Sequence, residues 1–109
     1  MLKKMIFSLM ILSGSLFAEE VWSGWTKVTM LYPTENNSIF YVETGIPEYG
    51  TCSGTNYKRY SLKPGTKNHD TLYSTLVLAY TSGAKIKMNI NVDQKGTCSP
   101  RVNRFQLRK

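Results

Sequence analysis

Cys52 and Cys98 are the only cysteines in the chain, and whether they bond to each other decides how so short a chain is held together. Their state depends on the compartment, and the first residues speak to that. Met1 to Lys4 carries two positive charges, Lys3 and Lys4. Met5 to Leu12 is apolar apart from Ser8, and Ser13 to Ala18 is small and weakly polar, followed at once by Glu19 and Glu20. That order is the charged, apolar and cleavage regions of a secretory signal peptide. A membrane-spanning helix needs about 20 apolar residues, and this run has about half that. Cleavage is expected after Ala18; Leu16 is large for the position three before the cut, which leaves Ser15 as a second place. No Cys sits near the cleavage zone to carry a lipid, and no later segment is apolar enough to span a membrane. The expected organisation is a signal peptide over 1–18 and one domain over 19–109, in a periplasmic or secreted bacterial protein.

A domain of this size is only marginally stabilised by its core. Two cysteines in an exported chain most simply pair. The loop closed by Cys52 and Cys98 spans about 47 residues, worth roughly 4 kcal/mol on the chain-entropy model. Two cysteines and the single His69 fall short of a four-ligand zinc site. No metal or other cofactor is expected.

Charge is divided along the chain. From Glu19 to Gly54 there are five acids and one base; from Thr55 to Lys109 there are eleven bases and two acids. Such asymmetry fits an anionic partner: a sialylated or sulfated glycan, lipopolysaccharide, a membrane surface or an acidic protein. It equally fits a face solvated by lysines. Export argues against nucleic acid, the usual partner of basic domains.

Patterning gives strands broken by turns, with one helix. Trp25 to Tyr32 alternates, with Val28, Met30 and Tyr32 on one face. Pro33 to Asn37 is turn chemistry, and Ser38 to Thr44 completes a hairpin. Gly45 to Thr55 reads as a loop holding Cys52, and Tyr57 to Leu62 as a short strand. Leu72, Leu76, Ala79 and Gly83 recur at helical spacing, so Thr71 to Ser82 reads as a helix with Asp70 as its N-cap and Gly83 as its stop. In Lys85 to Val92, Ile86, Met88, Ile90 and Val92 face inward while Lys85, Lys87, Asn89 and Asn91 face out. Val102 is out of phase with Phe105 and Leu107, which places a bulge near Asn103-Arg104 in the last strand. The order β-β-β-α-β-β is that of a five-stranded OB-fold-like barrel, with the disulfide tying the loop after strand two to the loop before strand five.

Several segments together carry a resemblance. They are Trp22-Ser23-Gly24-Trp25, Lys27-Val28-Thr29, a loop cysteine, Leu72 through Gly83, the strand from Lys85, Cys98 and the closing strand. In combination they resemble small exported bacterial proteins of an uncharacterised family. The helix, its Ser82-Gly83 stop and the strand that follows also resemble the B subunits of subtilase-cytotoxin-like and pertussis-like bacterial toxins. That likeness implies an OB fold, assembly into a homo-oligomeric ring and binding of host glycans, with Ser38 nearest to the hairpin serine that contacts sialic acid.

Catalysis has little support. His69, Asp70 and Ser74 are neighbours in sequence, whereas triads are assembled from separated positions. There is no phosphate-binding glycine loop and no calcium-binding carboxylate cluster. Recognition fits the composition better: the chain from Glu19 onward holds two Trp, seven Tyr and two Phe. Trp22, Trp25, Tyr41, Tyr57 and Tyr60 are candidate contacts, each weighed against a place in a small core. Lys58-Arg59 between Tyr57 and Tyr60 is the densest basic-aromatic cluster. The expected function is therefore an exported, non-enzymatic binding module for a glycan, with the alternative of docking an envelope or secreted protein through the basic C-terminal half. The candidate ligand residues are Ser38, Tyr57, Lys58, Arg59 and Tyr60.

Overall fold

The structure is a computed structural model and describes residues 19–109; the expected signal peptide lies outside the described residues. Six strands and one long helix follow in order: β1 Glu20–Trp22, β2 Thr26–Pro33, β3 Ser38–Val42, β4 Arg59–Leu62, α1 His69–Ser82, β5 Lys85–Asn91 and β6 Val102–Arg108, with a 3-10 turn at Val92–Gln94 after β5. The extra strand β1 is the one element the patterning omits. It pairs β5 at Glu20↔Asn91, and β2 pairs the other end of β5 at Thr26↔Ile86. Ser23 bridges the break between them. Its N–H donates to the Met88 carbonyl and its Oγ accepts the Met88 N–H, both at 2.9 Å. A side chain thus stands in for a backbone carbonyl, and β1 with β2 makes one interrupted first strand.

Counted that way, the order β6-β5-(β1/β2)-β3-β4 is all antiparallel. The sheet curls until β4 and β6 meet in a single parallel bridge, Ser61↔Arg101, where Ser61 N–H donates to Pro100 at 2.9 Å. This is the expected OB-fold-like arrangement, a partly open barrel with its helix between the third and fourth staves. The core runs through Val28, Phe40, Val42, Tyr60, Leu62, Ile86, Met88, Ile90 and Val102, with Leu76 and Ala79 of α1 packed against it. Cys52 and Cys98 are bonded, with their Cα atoms 4.5 Å apart. The bond joins the β3–β4 loop to the β5–β6 loop, as expected.

Four local expectations are corrected. In β2 the register jumps between Val28↔Val42 and Met30↔Tyr41. Thr29 is the extra residue of a bulge, so the faces swap beyond it: Met30 and Tyr32 are exposed and Leu31 turns partly inward. A bulge on β6 was expected and is present: Asn89↔Arg104 is followed by Ile90↔Val102, which leaves Asn103 unpaired. In β5, Asn89 is fully buried rather than solvated, because the Asn103 amide at that bulge reaches back to donate to Asn89 at 3.0 Å and to Asn91 at 2.8 Å. Val92 has left the strand for the 3-10 turn. Finally, α1 begins two residues early. Asn68 is its N-cap and makes no side-chain capping bond, so Asp70 sits inside the first turn rather than capping it. The Gly83 stop is as expected, left-handed at φ 71° with its N–H on the Ala79 carbonyl.

Candidate functional site

The five candidate ligand residues do not form one surface. On β4 the strand period sends Tyr60 inward and Arg59 outward. Tyr60 is fully buried; its hydroxyl accepts from Ile46 N–H at 2.8 Å and donates to the Tyr57 carbonyl at 2.7 Å. It is a core residue, and burial raises its pKa above the ordinary 10.0, the Ile46 N–H opposing this more weakly. Tyr57 lies before the strand rather than in it, exposed and with φ 63°, and Lys58 is half-buried in the same turn. The Arg59 guanidinium lies 6.0 Å from the Tyr41 ring centroid. Ser38 stands at the far end of the β3–β4 ladder, opposite Leu62, while Arg59 is opposite Tyr41. Three residue steps, about 10 Å, separate the two ends. Ser38 is itself buried, and its Oγ shares a 2.9 Å hydrogen bond with His69 Nε2. His69 Nδ1 is 3.5 Å from the fully exposed Asp70 carboxylate. Ser38 and His69 thereby fasten the start of α1 to β3, and Ser74 takes no part in the bond.

The sheet brings a different set of residues together. Lys27 on β2 lies directly opposite Lys85 on β5, and Lys85 lies directly opposite Arg108 on β6. Residues in register share a face, and neighbouring strands are about 4.8 Å apart. Three cations therefore line up across three strands on the outer surface, all exposed. Trp25 stands beside this row, half-buried, and two cations lie over its ring: Arg108 Cζ at 4.3 Å and Lys87 Nζ at 5.1 Å from the centroid. Like charges directly opposite each other destabilise a sheet. Carboxylates normally relieve such a row, yet none among the described residues pairs with it. The ion pairs among the described residues are His69–Asp70, Lys95–Glu48 and Arg104–Glu20, and none involves Lys27, Lys85, Lys87, Arg108 or Lys109.

Lys27, Lys85 and Lys87 were legible as facing away from the apolar side of their strands, and Trp25 as a candidate contact; Arg108 carried no assigned face. Their alignment was not, because it follows from the registers of β2–β5 and β5–β6, which no local pattern encodes. A separate basic recess lies where Lys63, Lys67 and Arg101 surround the start of α1. Among the described residues no group of three or more His, Cys, Asp or Glu is placed to hold a metal ion. No helix among them is long and apolar enough to cross a membrane. No protein-family model, curated protein sequence or solved structure matches the chain.

Proposed function

We propose that this protein is a binding module whose ligand is an anionic glycan, held on the outer face of β2, β5 and β6. The observation that carries the reading is the Lys27–Lys85–Arg108 row, with no carboxylate partner among the described residues and with Trp25 at its side. An aromatic face beside cations suits a charged sugar: the ring packs on the apolar C–H face of the saccharide while the cations take its sulfate or carboxylate. The expected likeness to glycan-binding toxin B subunits, and ring assembly with it, belong to the same proposal. The site proposed is nevertheless a sheet face and not the hairpin serine.

A glycan array with the mature chain tests this. Sulfated or sialylated glycans should bind and their neutral counterparts should not. Lys85→Ala and Arg108→Ala should each weaken binding about tenfold, the scale of one charge-assisted hydrogen bond. Affinity should fall as salt rises from 0.05 to about 0.5 M, since exposed charges are screened over that range. Equal binding of neutral and charged glycans, or no effect of either substitution, would refute the reading. Lys85, Lys87 and Arg108 of the same face come from the basic C-terminal half, so docking of an acidic envelope or secreted protein is the second reading. A salt-sensitive partner recovered from periplasmic extract, with no glycan bound on the array, would favour it.

A further inference from the structure

Where α1 ends and β6 runs out, the barrel is open. β4 meets β6 only at Ser61↔Arg101, near the start of β6. At the other end of β6 a groove of about 600 Å³ lies between that strand and the end of α1, lined by Leu78, Ser82, Gly83, Ala84, Leu107, Arg108 and Lys109. Its apolar walls are exposed: Leu78 keeps 54% of its surface in water and Leu107 37%. Two large aliphatic side chains thus face one groove, an apolar surface on which a hydrocarbon chain can be buried. Its rim is cationic. Arg108 belongs both to the groove and to the basic row, since it lines the one and lies opposite Lys85 in the other. Lys109 adds a second charge, and neither has a carboxylate partner among the described residues.

An apolar trough continuous with an unneutralised basic face suits an amphiphile with an anionic head and a hydrocarbon tail. We propose that the anionic ligand of this protein carries an alkyl or acyl chain, which lies in the Leu78–Leu107 groove while its head engages Arg108 and Lys85 beside Trp25. This rests on the reading of the basic face given above and narrows it to lipid-linked anions. A second copy of the chain would place a like-charged Arg108 and Lys109 rim against itself across a two-fold contact, which charge disfavours.

An alkyl phosphate series, from ethyl to octyl and kept below the micelle concentration, tests this. Binding is read from Trp25 fluorescence in a Trp22→Phe background. Affinity should rise with chain length by up to about fourfold per methylene, the transfer free energy of a buried CH₂. Leu78→Ser and Leu107→Ser should flatten that dependence while leaving ethyl phosphate binding unchanged. Circular dichroism and urea denaturation of each variant check that it folds before binding is read. Lys85→Ala should weaken every member of the series alike. If soluble sulfated glycans bind but chain length has no effect, the lipid inference falls and the glycan reading stands. If neither ligand type binds, both fall. A dimer in sedimentation equilibrium that Leu78→Ser dissociates would assign the groove to a second copy and overturn the inference.

Discussion

The hydroxyl of Tyr60 joins two loop segments at the centre of the fold. It accepts from Ile46, donates to Tyr57 at 2.7 Å, and has the Tyr49 carbonyl as a second, longer acceptor at 3.3 Å. The β3–β4 loop is shaped around this phenol. Gly45 has no side chain because a Cβ there would strike the Tyr57 carbonyl and the Tyr60 oxygen. Tyr60→Phe should therefore cost about 1–3 kcal/mol in urea denaturation, by leaving partly buried backbone groups unmatched. The pH dependence has a definite sign. Burial makes the folded protein hold the Tyr60 proton more tightly than the unfolded chain, whose tyrosine titrates near 10.0. The stabilisation is complete below that pH and is lost as pH rises through the higher folded-state value. Stability measured from pH 9 to 11 should fall, and Tyr60→Phe should fall less steeply. The sequence placed Tyr60 in a basic-aromatic cluster because adjacency in a chain resembles adjacency in space. On a strand, adjacent residues face opposite ways.

At the level of elements, the helix and its terminator were readable because both signals are local. Leu76 and Ala79 supply the buried stripe, and Gly83 supplies the left-handed stop. Open space surrounds Gly83 where a Cβ would go. Gly83→Ala therefore tests backbone conformation alone and should cost about 1 kcal/mol in thermal or urea unfolding. The strands were readable in position but not always in facing. On β6 the phase slip between Val102 and Phe105 announced the bulge at Asn103, because both flanking residues are plainly apolar. On β2 the bulge at Thr29 was hidden. Val28, Met30 and Tyr32 alternate as well as any regular strand, and only pairing with β3 shows that the face changes. Asn89 was hidden for the same reason: its burial depends on Asn103, fourteen residues away, reaching across from the bulge.

Across the whole molecule, the order of elements was legible and the site was not. Three strands, a helix and two strands, with one cysteine before the third strand and one before the last, are enough to give the barrel and its disulfide. The basic row needs two registers at once. The disulfide does not act alone. Around it Gly50 and Thr51 donate to the Thr97 carbonyl at 3.2 and 3.1 Å, Gly96 donates to Glu48 at 3.0 Å, and Lys95 pairs with the Glu48 carboxylate at 3.0 Å. That neighbour raises the Lys95 pKa, chiefly through the hydrogen bond. Replacing both cysteines by serine should lower stability by up to about 4 kcal/mol in urea denaturation, the loop-closure value. The circular dichroism of the folded state should be unchanged, because these backbone bonds hold the same two loops in place.

The seam between β4 and β6 gives the barrel a mechanical weak line. Every other stave is held by a ladder, whereas this junction rests on the Ser61–Arg101 bridge and its Pro100 bond. The disulfide straddles the same line, one cysteine before each of the two strands. It works as a clasp on a cuff: the edges can part at the free end while the fastened end stays shut. Amide exchange should register this as a Ser61 N–H that stays protected while the disulfide is intact, since its Pro100 bond lies at the fastened end. Reduction should lower the protection of Ser61 more than that of β5, turning a hinged opening into a detached stave.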